Sequence, residues 1–401
     1  MVRHSLDLNG LQALFQTKIN EVVEEPEYSW TGAFKPYQTD KIDQPLVRTG
    51  VVNCALDTDI WEGLHTPAHV GMYPLMLEDI WRHYACMTVK STRYDGSPNP
   101  LAMPERFEDA KRHFQRALII FGMLAINPEV FEQYAAKIER GDADPFDYYR
   151  RATTDTEAIV NKAMGKVALS LMGQQRAVVP MTDNNAKTII ARTRSEYTTG
   201  RYHGPCNNHW PNNSIGVMSG LLRFGVNRLP FRDEVGEDGT VQRLLGRYRS
   251  IVVFDQDPLV NDGAGGVGLL NSERLARLRQ ISDYAVATAD VVADRYCTYN
   301  VVGAIGSSIC GKCIEVCPSG AMKNSTPTPN GIFDESLLKQ QHRFWKGTID
   351  FDFGNCVKER GQKGQLYDDY VCARCEAICV SRGLRRKASD VASINNGNLV
   401  V

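Results

Sequence analysis

Seven of the chain's eleven cysteines fall between Ser307 and Cys379, and their spacing is the strongest chemical signal in the sequence. Cys310, Cys313 and Cys317-Pro318 read C-x2-C-x3-C-P, and Cys356, Cys372, Cys375 and Cys379 read C-x15-C-x2-C-x3-C. Together they nearly double the run in which three thiolates hold one iron-sulfur cubane while a fourth, followed by proline, reaches across to a second. The direct reading is two iron-sulfur clusters. Under the crossing rule Cys356, Cys372, Cys375 and Cys317 hold one complete four-iron cluster. Cys310, Cys313 and Cys379 hold the other with one position short, because Ser307 stands where an eighth cysteine would complete the pattern. That cluster takes Ser307 or Cys297 as its fourth ligand, lacks an iron, or leaves one iron open. Paired C-x2-C also suits zinc, but zinc does not require the C-x3-C-P turn or two interleaved sets.

A second candidate is the glycine stretch Gly263-Ala264-Gly265-Gly266-Val267-Gly268. Gly263, Gly265 and Gly268 match the letters of a dinucleotide-binding turn. That turn must follow a strand directly and open a helix, whereas the strand SIVVFD ends at Asp255 and Asp257-Pro258 intervenes. Of the remaining cysteines, Cys54 and Cys86 read as buried small hydrophobes, and Cys206 as an inert thiol or a spare ligand.

These residues need elements to position them. Residues 1 to about 100 are punctuated by Pro26, Pro36, Pro45, Pro67 and Pro74 among Trp30, Trp61 and Trp81. They read as an irregular segment wrapping over the fold. From Pro104 the run PERFEDAKRHFQRALIIFGMLA spaces Phe107, Ala110, Phe114, Ala117 and Leu118 as on a helix. A second helix is expected from Pro128 to Arg140, closed by Gly141, and a third from about Thr154 to Met172. From Ala177 onward AVVPM and SIVVFD read as strands and AKTIIARTRSEY as a helix. IGVMSGLLRFGV reads as an apolar helix starting at Ser214, followed by the helix SERLARLRQI and the strand YAVATADVVA. Alternation of this kind argues an α/β sheet domain with its ligand crevice at the carboxyl ends of the strands. The expected division is 1–172 irregular and helical, 173–300 an α/β cofactor-binding core, 301–385 a two-cluster domain, and 386–401 a tail.

With 401 residues, 43% hydrophobic content and a net charge of -1, the chain has the make-up of a soluble multidomain protein. It lacks the basic footprint that nucleic acid or an anionic membrane demands. The run from Arg382 to Lys387 reads as a solvated surface. The longest apolar run, Ala117 to Ile126, is about half of the ~20 residues a membrane span needs. Met1-Val2-Arg3-His4 opens no apolar signal core and no twin arginine, which points to a cytoplasmic protein or a processed form of an exported one.

The order FDQDPLVND, GAGGVGLLNSERLARL, DYAVATADVVAD and then S-x2-C-x2-C-x3-C-P resembles the cobalamin and iron-sulfur reductases. That superfamily includes the respiratory reductive dehalogenases and the epoxyqueuosine reductases. The likeness covers about residues 210 to 385. It implies an α+β or α/β architecture: a nitroreductase-like corrinoid-binding core, a helical amino-terminal part and a ferredoxin-like two-cluster domain. It also implies cobalamin bound base-off, bordered by Gly263, Gly265, Gly266, Gly268 and His209, with two clusters delivering electrons one at a time. The implied proton donors are Tyr202, His203 and Asp255, the first two within the polar stretch Tyr197 to His209. Ser307 and Asp283-Tyr284 depart from the dehalogenase pattern, which has a cysteine and a basic residue there.

The leading expectation is a reductive dehalogenase-like enzyme reducing a small, halogenated organic molecule. Its electrons would come from ferredoxin, flavodoxin or a membrane redox partner. The alternatives are an epoxyqueuosine reductase-like enzyme on another substrate, and a cobalamin-free iron-sulfur electron carrier.

Overall fold

The structure, a computed structural model, describes residues 6–28, 38–39, 42–56, 80–81, 111, 114, 116–142, 147–174, 176–181, 212, 215–216, 219, 221–224, 230–235, 240–255, 267–269, 312–320, 322–323, 343–346, 349–352, 372–383 and 386–387. Among them no helix is long and apolar enough to cross a membrane.

The run ALIIFGMLA is a strand, not the end of a helix. The strand β4 (Arg116–Ala125) is buried almost throughout. It pairs antiparallel with β3 (Val47–Ala55) on one side and β9 (Gly246–Asp255) on the other. Leu118, Ile120 and Leu124 face one apolar layer while Ala117, Ile119, Phe121, Met123 and Ala125 face another. A strand covered on both faces loses the polar alternation that marks a strand in sequence, so its continuous apolar run passes for a buried helix. β5 (Ala177–Pro180) joins β9 antiparallel, and β10 (Val267–Leu269) joins β3 parallel. The five-stranded order is therefore β10-β3-β4-β9-β5. This sheet unites strands from both sides of the 172/173 division.

The amino terminus is not irregular throughout. α1 (Leu8–Val23) opens with Asp7, whose side chain accepts from the Gly10 backbone N–H, one of the donors a helix start leaves unsatisfied. Leu8, Leu11, Phe15, Ile19 and Val22 form its buried stripe. Beside it lies α3 (Asp147–Gly173), which begins a turn or two before the expected Thr154. Together α1 and α3 cover one face of the sheet. On the other face Ile80 and Trp81 pack with Phe114 and Phe254, the Trp81 and Phe254 rings meeting edge-on at 4.9 Å. α2 (Pro128–Glu139) forms where expected. Asn127 caps it, its side chain accepting from Glu129, and Gly141 beyond its end has φ 78°, the left-handed geometry glycine favours.

Gly122 lets the α1–α3 layer seat on β4. A Cβ there would lie 2.7 Å from a Phe15 ring carbon and 2.8 Å from the Met164 sulfur. Gly122→Ala is expected to lower unfolding free energy by about 1–3 kcal/mol, the usual cost of overpacking a filled core. Urea denaturation of the two chains would measure it. An unchanged midpoint would mean that both side chains move aside freely.

The apolar helix expected from Ser214 does not continue. Residues 215 and 216 are helical, but the Ser219 hydroxyl donates to the Gly216 carbonyl and accepts from the Leu221 N–H. Such local bonding competes with helix propagation, and the chain becomes β6 (Arg223–Phe224). β6 pairs with β7 (Pro230–Val235), β7 with β8 (Thr240–Leu244), and β8 with β14 (Arg386–Lys387). Part of the basic run after Cys379 is thus an edge strand. A three-stranded antiparallel sheet lies between the two cysteine sets in sequence, built from β11 (Met322–Lys323), β12 (Arg343–Lys346) and β13 (Ile349–Asp352) in the order β11-β13-β12. A small antiparallel pair near the amino terminus joins β1 (Gln38–Thr39) and β2 (Ile42–Pro45).

The five- and four-stranded sheets are tied by charge. Arg48 of β3 and Arg232 of β7 both donate to the Glu234 carboxylate, at 2.8 and 2.5 Å. Burial pushes the Glu234 carboxyl up, but the two guanidinium groups outweigh it and hold it below its ordinary value of 4.5. A carboxylate held low in the fold contributes stability above its unfolded pKa and loses it as pH falls through the folded one. The tie is therefore expected to weaken below about pH 4.5. Glu234→Gln should flatten that part of the acid limb in a pH series of denaturation curves. An identical acid limb in both chains would show that the tie carries no net stability.

Candidate functional site

A short helix and a longer one carry three of the seven patterned cysteines. α4 (Lys312–Glu315) carries Cys313, and α5 (Arg374–Gly383) carries Cys375 and Cys379. After α4 the chain turns over Cys317-Pro318-Ser319-Gly320. The Gly320 N–H donates to the Cys317 carbonyl at 3.3 Å, and Gly320 has φ 61°. Proline at the second position and glycine at the fourth are the residues such a turn favours, so the C-P step ends the helix and fixes where Cys317 stands. On α5, Cys375 and Cys379 are four residues apart and share one face, about 6 Å apart along the axis.

α4 packs directly on α5. The two share an apolar cluster in which Cys313, Ala377, Ile378 and Val380 are buried, with Cys317 and Cys375 half-buried at its margin. This cluster also takes in Phe131 and Tyr134 of α2, Tyr149 of α3, Phe231 of β7 and Leu245. The backbone leading into α5 is held from α2, where the Tyr134 hydroxyl donates to the Cys372 carbonyl at 2.5 Å. Ala373, between that carbonyl and the helix, has φ 41°. A non-glycine residue there stores about 1–2 kcal/mol of strain that the surrounding packing must offset.

Polar groups around the cysteine helix are satisfied by residues far away in sequence. Glu376 is buried and accepts from the Tyr149 hydroxyl, and Arg247 Nη2 lies 4.0 Å from the same oxygen. Burial drives the Tyr149 phenol well above its usual range, and the Glu376 charge adds to that. Burial disfavours the Arg247 cation, but Glu376, Tyr149, Glu157 and Tyr248 together outweigh it and hold the guanidinium protonated. Arg243 Nη1 lies 3.3 Å from Cys379 Sγ, and beside α4 the Ser319 hydroxyl is 3.5 Å from Cys317 Sγ.

Cys313, Cys317, Cys372, Cys375 and Cys379 are all free cysteines, the donor type that iron-sulfur clusters take. Among the described residues no three His, Cys, Asp or Glu side chains converge as a metal-binding group. Cys310 and Cys356, one from each expected set, lie outside the described residues, as do Ser307, Cys297 and Cys206. Tyr202, His203, His209, Gly263, Gly265 and Gly266 lie outside them too. Asn212, just past the polar stretch, is buried and accepts from the Ser250 hydroxyl of β9 at 2.8 Å. Gly268 is part of β10, opposite Val52, so the glycine stretch runs into a strand rather than opening a helix.

The Asp255 carboxylate is engaged by Arg176. Its side chain is 3% exposed and the Arg176 side chain that donates to it is 2% exposed. Asp255 also stands at the far end of β9 from Leu245, where the cysteine helices pack. Over the ten residues of β9 that is a separation of about 30 Å. Arg243, Arg247, Glu376, Tyr149 and Tyr134 were not foreseen from sequence. The one local signal was Glu376, an acid amid the apolar residues of RCEAICV.

Comparison with protein-family models, with curated proteins and with solved structures finds no match for the chain.

Proposed function

We propose that this chain is an iron-sulfur oxidoreductase of the corrinoid reductase type, acting on a small, halogenated organic molecule. The observation that carries the reading is the interleaved cysteine pattern, supported by the packing of α4 on α5. Cys317, Cys356, Cys372 and Cys375 would hold one cluster, and Cys310, Cys313 and Cys379 the other. The clusters would supply one-electron transfer between an external donor and the core, and cobalamin, when bound there, the reduction of the substrate. The chain's own part is to pack α5 on α2 and α4 on α5, to hold the cysteine spacing through the Cys317-Pro318 turn, and to offer Tyr202, His203 or Asp255 as proton donor.

The test is iron, sulfide and cobalt analysis of anaerobically purified protein made with cobalamin supplied, read beside its paramagnetic resonance spectrum. One cobalt with about seven or eight irons per chain is the expected result. The same iron without cobalt would favour a cobalamin-free electron carrier, and absence of iron would refute the proposal. Interleaving makes a sharper prediction. Cys317→Ala should remove about four irons and one cluster's signal, while Cys313→Ala removes the other's. Loss of the same signal from both variants would overturn the pairing of the sets.

A further inference from the structure

We infer that Arg243 is a positioning residue that raises the reduction potential of the cluster ligated by Cys379. The inference rests on the cluster reading above. Arg243 lies on β8 opposite Asp233 of β7 and is 6% exposed. Its guanidinium carbon sits 3.7 Å from the centre of the Phe231 ring, a stacking contact that fixes the plane of the group. In that orientation Nη1 donates to Cys379 Sγ at 3.3 Å.

Two links keep β8 against α5. α5 packs on β8 directly, and the chain leaving α5 returns as β14 to pair with β8, Arg386 opposite Val241 and Lys387 opposite Thr240. The strand that carries the guanidinium and the helix that carries the thiolate are therefore one mechanical unit. The distance between Arg243 and Cys379 does not depend on the longer connections elsewhere.

An arginine remains charged at every relevant pH. A fixed positive charge and a hydrogen bond at a ligating sulfur both favour the more negative, reduced cluster, and so raise its potential.

The experiment is a redox titration of the full chain, reconstituted anaerobically with iron and sulfide and followed by paramagnetic resonance, for wild type, Arg243→Gln and Arg243→Lys. With iron and sulfide content equal to wild type, Arg243→Gln should shift one midpoint to lower potential. The expected size is about a tenfold change in the reduction equilibrium, ~59 mV for one electron. The other midpoint should stay in place. Arg243→Lys, which keeps the charge without the planar fork, should give a smaller shift of the same midpoint, and it decides the matter where Arg243→Gln does not assemble. Fully loaded variants with both midpoints unchanged would overturn this inference alone. A wild-type chain that takes up no iron would overturn the cluster reading, and this inference with it.

Discussion

Asp255→Ala is expected to destabilise the fold by about 3–5 kcal/mol, the largest single effect among these side chains, because it leaves the Arg176 guanidinium buried without its counter-charge. The two side chains are 3% and 2% exposed, and each comes from an end of a strand. Asp255 closes β9 and Arg176 directly precedes β5, whose Ala177 is in register with Phe254. Removing both charges together should behave differently. Arg176→Leu with Asp255→Leu replaces a buried pair by apolar groups, a change that is often close to neutral. A double-mutant cycle by chemical denaturation would read the difference as a coupling energy. Additive losses would show that the pair contributes nothing as a pair. An Asp255→Asn chain that keeps wild-type stability but loses the proposed reduction would assign Asp255 a part in the chemistry.

The second large effect is expected at Glu376. Its replacement by leucine removes the acceptor for the buried Tyr149 hydroxyl and the charge facing Arg247. Arg247 stays cationic, so the variant would leave that cation in a mostly buried place without the nearest carboxylate. The expected loss is about 2–3 kcal/mol, less than for Asp255 because the Arg247 side chain keeps 21% exposure. Since Glu376 lies between Cys375 and Cys379 on α5, the loss should appear locally. In the metal-free chain both cysteines should react faster with a thiol reagent in Glu376→Leu than in wild type. Tyr149→Phe, which removes only the hydroxyl, should cost about 1 kcal/mol and change the labelling little. Equal labelling rates in all three chains would mean that α5 is held by its apolar face alone.

How much of this could be read in advance depended on how local each signal was. α2 was legible because its limits are set within a few residues, by Asn127-Pro128 at one end and Gly141 at the other. β5 and the latter part of β9 were legible as apolar runs of strand length. α1 carries a helical spacing at Leu8, Leu11, Phe15, Ile19 and Val22, but the prolines that follow it give the segment as a whole the composition of irregular chain. β4 was misread for a deeper reason. What makes ALIIFGMLA a strand is that α1 and α3 cover one face and Trp81, Phe114 and Phe254 the other, and neither layer is local to it.

The candidate site divides the same way. The cysteine types, their spacing and the proline after Cys317 are properties of the sequence by itself, because cluster ligation is set by short separations along the chain. They determine which chemistry to expect. The tertiary structure alone decided what surrounds those cysteines. Tyr149 meets Glu376 across 227 residues, Arg243 meets Cys379 across 136, and Arg176 meets Asp255 across 79. Pairs at such separations have no local pattern. They arise when burial of the two sheets and the α2–α5 layer brings charged groups out of water, where each must find a partner or cost several kcal/mol.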